Sequence, residues 1–149
     1  MATQKLHLSI SIRATKEKIW KVLLDDASYR QWTAVFDPGS HAISDWQEGS
    51  KALFISGEGS GMVSRVVEHR PGEIISFEHL GMVKDGVEDQ ESDAAKEWLG
   101  TRETYLLSEH DGVCLLRLEQ DIAESYLEYF TQTWEKALGI IKQLSEADA

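Results

Sequence analysis

The side chains best placed to do chemistry in this 149-residue chain are His79, Glu103 and Tyr105. Between Ile74 and Leu80, Ile75, Phe77 and His79 alternate with Ser76 and Glu78, so an extended strand puts the imidazole on the same face as two apolar side chains. Between Thr101 and Ser108, Glu103, Tyr105 and Leu107 share a face by the same rule. If the two strands pair as simple antiparallel neighbours, His79 and Glu103 come close. A buried carboxyl resists ionisation unless it is paired, and a carboxylate beside histidine favours the imidazolium. Such a pair can act as acid and base or grip a polar head group. It can equally be a satisfied polar contact near the end of a sheet, with Tyr105 anchoring its hydroxyl to backbone.

Other candidates carry less. Gly57, Gly59 and Gly61 form a Gly-x-Gly-x-Gly run, but it joins two strand-like segments and lacks the helix that a phosphate site needs, so a turn is expected. Cys114 lies in a strand-like segment and is expected to be a small buried hydrophobe. The five histidines lack metal-ligand spacing. The acidic stretch from Gly81 to Gly100 lacks the Asp-x-Asp-x-Asp-Gly framework of a calcium loop, so a solvated face is expected there. No Walker loop, Gly-x-Ser-x-Gly elbow, His-Glu-x-x-His or Cys-x-x-Cys occurs, and no cofactor or metal is expected.

The elements that must position these groups follow from periodicity. Leu6, Leu8, Ile10 and Ile12 alternate with polar residues and predict a first strand. Thr15 caps a short helix running to about Leu24, and a second short helix spans Ala27–Trp32. Strands are expected at His41–Trp46, Lys51–Ser56, Met62–Arg70 and Ile74–Leu80, with Pro71-Gly72 as one turn. The stretch from Gly81 to Gly100 predicts a long loop, with a helical turn near Ala94–Trp98. Thr101–Ser108 and Val113–Ile122 predict a hairpin turned at Asp111-Gly112. Ser125 and Glu128 have capping-box spacing and start a helix of about 20 residues. Its apolar stripe is Tyr126, Phe130, Trp134, Ala137, Ile141 and Leu144. The order implies an α+β fold, a curved antiparallel sheet of six to seven strands wrapped around the C-terminal helix.

The length suits one domain over residues 1–149. A formal charge of -11 argues against nucleic acid and anionic membranes as partners. The N-terminus has no apolar signal region, no run approaches the ~18 apolar residues of a membrane helix, and the single cysteine fits a reducing cytoplasm.

Five motifs in this order resemble the START-like (SRPBCC, birch-pollen-allergen-like, helix-grip) superfamily, in the branch named after the activator of heat-shock protein 90 ATPase homologue. They are Ile12 to Leu23, Tyr29-Arg30-Gln31-Trp32-Thr33, Asp45 to Ser50, Glu73 to His79, and Trp134-Glu135-Lys136-Ala137-Leu138. The usual proline at the first helix is absent, with Thr15 near its place. The resemblance implies a hydrophobic ligand held between sheet and helix. On that basis Trp32, Phe36, Phe54, Met62, Phe77, Tyr126, Phe130 and Trp134 are expected around the cavity, with His79, Glu103 and Tyr105 as its polar groups. The same aromatics would equally fill a solid core.

The leading expectation is non-catalytic binding of a small apolar molecule by a monomer or homodimer. The alternatives are a protein-interaction module like the chaperone activators, and a cyclase- or hydrolase-like enzyme using His79, Glu103 or Tyr105.

Overall fold

The computed structural model describes residues 3–147. Strand β1 (Thr3–Ile12) leads into helices α1 (Lys16–Leu24) and α2 (Asp26–Thr33). Thr15 caps α1 as expected, its hydroxyl accepting from the Lys18 N–H at 3.1 Å. Strands β2 (His41–Ile43), β3 (Lys51–Ile55), β4 (Gly61–Arg70), β5 (Ile74–Lys84) and β6 (Val87–Asp89) follow. Helix α3 (Asp93–Trp98), strands β7 (Arg102–His110) and β8 (Val113–Ala123), and helix α4 (Leu127–Glu146) complete the chain. The sheet is antiparallel in the order β1-β8-β7-β5-β4-β3-β2, with β6 folded back on β5. This is the expected α+β helix-grip architecture.

The core lies where the concave face of the sheet meets α4. Ile75, Phe77, Leu116, Leu118 and Ile122 from the sheet, Trp134, Ala137 and Ile141 from α4, and Ile19, Leu23 and Trp32 from the short helices are all buried. Cys114 is buried too, its thiol donating to the Ala14 carbonyl at 3.3 Å. No helix among the described residues is long and apolar enough to cross a membrane.

Three local expectations are corrected. The acidic stretch is mostly not a loop. β5 continues to Lys84 and turns at Asp85-Gly86, both at positive φ (50° and 80°), the geometry of a tight hairpin turn. Ser92 then caps α3 through the Ala95 N–H at 3.1 Å. Secondly, β2 stops at Ile43. The Ser44 hydroxyl binds the Lys51 carbonyl at 2.9 Å and receives the Trp46 N–H at 3.0 Å, which ends the ladder and leaves Trp46 at φ 62°. That conformation is strained for a bulky residue. It is held because the Trp46 carbonyl accepts from His69 Nδ1 at 2.6 Å, while His69 Nε2 accepts from the Trp20 indole at 2.9 Å. The indole can only donate, so the proton of the neutral ring must sit on Nδ1.

The third correction is the capping box, which does not form. β8 runs on to Ala123, and Glu124–Tyr126 make a single 3₁₀ turn closed by the Leu127 N–H on the Glu124 carbonyl. α4 therefore starts at Leu127 without a side-chain cap, and Tyr126 is exposed rather than in the stripe. At its other end α4 is tied to β1: Lys142 Nζ donates to the Ser11 carbonyl at 2.8 Å, and Glu146 accepts the Arg13 N–H at 2.8 Å.

Candidate functional site

The glycine run does turn the chain between β3 and β4, with the Ser56 N–H on the Ser60 carbonyl at 2.7 Å. A methyl on Gly61 would overlap the Phe54 carbonyl oxygen, so glycine is what lets β4 start this close to β3. Beside this turn, at the open end of the grip, lies a cavity of about 380 Å³. Its walls come from α2 and the residues after it (Tyr29, Trp32, Phe36), β3 and β4 (Phe54, Met62), α3 (Trp98), and α4 (Phe130, Trp134). The rings brace one another: Phe36 and Trp134 are 4.9 Å apart edge to face, Trp32 and Trp134 5.7 Å, and Tyr29 and Trp32 5.0 Å.

Asp37 and His41 border the cavity, and the polar groups that the sheet's central strands bring to it are His79 on β5, Glu103 and Tyr105 on β7, and Gln120 on β8. They do not pair as simple neighbours. Glu103 sits opposite Phe77, whereas the His79 N–H bonds the Thr101 carbonyl at 2.8 Å. A bulge between β4 and β5 skips Leu80 and sets Ser64 opposite His79, so the Ser64 hydroxyl meets His79 Nδ1 at 2.6 Å. The expected His79–Glu103 contact is thus replaced by two separate arrangements that line one cavity.

Glu103 belongs to a chain of hydrogen bonds. The Tyr105 hydroxyl donates to Glu103 Oε2 at 2.5 Å, Gln120 Nε2 donates to Glu103 Oε1 at 2.7 Å, and the Trp134 indole donates to Gln120 Oε1 at 2.7 Å. The indole has no acceptor, so it fixes the Gln120 amide with its oxygen toward α4 and its N–H toward Glu103. A helix tryptophan thereby orients a cavity carboxyl through one intermediate.

Of the expected lining residues, Trp32, Phe36, Phe54, Met62, His79, Glu103, Tyr105, Phe130 and Trp134 border the cavity. Phe77 lies behind it, fully buried against Phe54 and Tyr105, and Tyr126 lies outside on the 3₁₀ turn. Sequence reasoning missed Tyr29, Trp98 and Gln120. Tyr29 stands one helical turn before Trp32, a spacing that does mark a shared face. Among the described residues no three His, Cys, Asp or Glu side chains converge as a candidate metal site.

Glu103 keeps some surface open to the cavity yet is enclosed by protein, and burial lifts its pKa from 4.5 to about 7 against the opposing Tyr105 hydrogen bond. Burial lowers His79 from 6.5 to about 4, with the Asp121 charge acting the other way. Tyr29 and Tyr105 are raised by burial and then by the Glu103 charge.

The two shifts have opposite effects on stability. Folded Glu103 keeps a proton that the unfolded chain releases, so its contribution is complete below pH 4.5 and lost as pH rises through about 7. Folded His79 stays neutral while the unfolded chain protonates, so its contribution is present above pH 6.5 and lost as pH falls toward about 4. Where the windows overlap, the slopes cancel. Urea midpoints measured across that range are therefore expected to be nearly flat for the wild type, to fall with pH in His79→Asn, and to rise with pH in Glu103→Gln. Each unmasked change is on the order of 1–3 kcal/mol, after discounting for solvent in the cavity. Parallel profiles for all three proteins would contradict the assignment.

Solved structures of similar fold include protein MLL2253 from Mesorhizobium loti (TM-score 0.74, 14% identity, covering 98% of this chain and 100% of that one). Another is the Aha1 dimer from Colwellia psychrerythraea (TM-score 0.73, 18% identity, 97% of each chain). DynU16, a protein of the dynemicin biosynthetic locus, matches at TM-score 0.70 and 15% identity over 96% of this chain, which spans about half (47%) of DynU16. At these identities the likeness is one of fold. No curated protein matches the chain in sequence. The family model described as activator of Hsp90 ATPase homolog 1-like protein matches residues 13–146. This chain, with its aromatic-lined groove under the C-terminal helix, belongs to the activator of Hsp90 ATPase homolog 1-like family.

Proposed function

We propose that the chain is a non-catalytic binding module that takes a small, mainly apolar molecule into the cavity beside α4, with one polar end of that molecule at Glu103, Tyr105 and Gln120. The observation that carries this is the cavity itself: about 380 Å³, walled by aromatic rings, with a few convergent polar groups. Ligand sites are typically ~300–1,000 Å³ and of this composition. His79 meets Ser64 rather than Glu103, so the acid–base pair expected from these two strands has no direct contact to support it.

A bound ligand at 100 times its Kd stabilises the fold by about 2.7 kcal/mol, which is roughly 5–10 °C in Tm at this chain length. Thermal-shift screening with apolar compounds, backed by native mass spectrometry, is expected to find such stabilisers. If no compound raises Tm and none is retained, the proposal fails.

Family membership and the Aha1 dimer favour a second reading, a protein-interaction module. Tyr126 and Tyr129 are half exposed near the start of α4, and Tyr129 packs on the cavity residue Phe130 at 5.4 Å. A partner seated there, including a second copy of this chain, would cover the groove. Sedimentation velocity that shows a dimer in the wild type and a monomer in Tyr126→Ser/Tyr129→Ser supports this reading; an unchanged state argues against it.

A further inference from the structure

We propose that the cavity selects apolar molecules ending in a protonated amine and rejects those ending in a carboxylate. This rests on the cavity-binding proposal above and adds the charge of the ligand.

Asp37 and Glu103 border the cavity, no lysine or arginine does, and the histidines of the lining are His41 and His79, the ring of His41 being turned to the Gly39 carbonyl at 3.1 Å. The Asp37 carboxylate already accepts the Gly57 N–H at 2.8 Å. Glu103 is the acid held by Tyr105 and Gln120, and its acceptor capacity is not used up. Tyr105 and Gln120 each supply one hydrogen bond, one to each oxygen, whereas a carboxylate has about four acceptor positions. An ammonium N–H can therefore join without displacing either donor. His79 offers no competing positive charge, because burial disfavours its protonation.

The surrounding rings act in the same direction. Trp32, Phe36, Trp98 and Trp134 border the same cavity as this carboxyl, and aromatic π-systems attract cations, tryptophan most strongly. With Glu103 ionised, as at the pH of the test below, an incoming carboxylate would meet a like charge with no lysine or arginine to pair it, which is the costly case in a low-dielectric site. The net charge of -11 also favours the approach of cations over anions to the protein as a whole.

The test is isothermal titration of the full chain with hexylamine, hexanol and hexanoate, which share one tail. At about pH 8 the amine is protonated, since alkylamines resemble lysine with a pKa near 10. A charge-assisted hydrogen bond plus a cation–π contact is expected to make hexylamine at least about tenfold tighter than hexanol, with hexanoate weakest. In Glu103→Gln the amine is expected to lose that advantage, the ratio of hexylamine to hexanol affinity falling to within about twofold of one. Hexanol as tight as hexylamine in the wild type, or hexanoate the tightest, overturns the charge preference and leaves the cavity-binding proposal standing. No binding by any of the three overturns both. If circular dichroism shows that Glu103→Gln is unfolded, the wild-type ranking alone decides.

Discussion

Phe77→Ala is expected to lose ~3–5 kcal/mol of unfolding free energy, read as a shift of the urea midpoint at unchanged m-value. Phe77 is 1% exposed on a central strand, between Val66 of β4 and Glu103 of β7. Its ring meets Phe54 at 5.0 Å, Trp46 at 5.8 Å and Tyr105 at 6.3 Å between centroids. The cost of a truncation depends on how far the neighbours can collapse into the hole. Here they are tethered: Trp46 by the His69 bond to its carbonyl, Tyr105 by Glu103, and Phe54 by strand pairing on both sides. The value therefore belongs at the upper end of the range. A loss below about 1 kcal/mol would mean that the ring is not packed in this way.

Trp134 gives the second large effect, and it separates packing from hydrogen bonding. Trp134→Ala removes a side chain that is 3% exposed and touches Phe36, Trp32 and Tyr105, so ~3–5 kcal/mol is expected. Trp134→Phe keeps most of the ring contacts but deletes the indole N–H. The Gln120 carbonyl then loses its only side-chain donor in the network and is free to turn away from Glu103. About 1–3 kcal/mol is expected for an unsatisfied buried acceptor. If Trp134→Phe is neutral while Trp134→Ala is costly, α4 is held by packing alone and the network does not position Glu103.

These two residues also show what the sequence made visible. Strict alternation put Phe77 and His79 inward, and helical spacing put Trp134 on the buried face of α4, because burial on one face imposes those periods. Features set by register were not visible. The skipped Leu80 turns Ser64 toward His79, and nothing in either strand marks the skip. Gln120 is a polar residue in an alternating strand; only its position opposite Glu103 and beneath Trp134 makes it a bridge. The Asp85-Gly86 turn did carry a legible signal, equal to that of Asp111-Gly112, but the surrounding acidic charge concealed it. Trp98 followed the same fate, since it reaches the cavity only because that stretch folds back as β6 and α3. Ser125 and Glu128 show the reverse error: the spacing of a capping box was present, but a strand running to Ala123 left room only for a 3₁₀ turn.

The five tryptophans offer the most direct test that the cavity takes an apolar ligand. Trp32, Trp98 and Trp134 border it; Trp20 lines a separate surface pocket with His69, and Trp46 stands behind the wall residues Tyr29 and Phe54. In proton–nitrogen correlation spectra, titration with hexanol is expected to move the indole resonances of Trp32, Trp98 and Trp134, saturably and together, and to leave that of Trp20, which is bonded to His69, in place. Indole signals that all stay fixed, or a shift confined to Trp20, would contradict a binding cavity under α4.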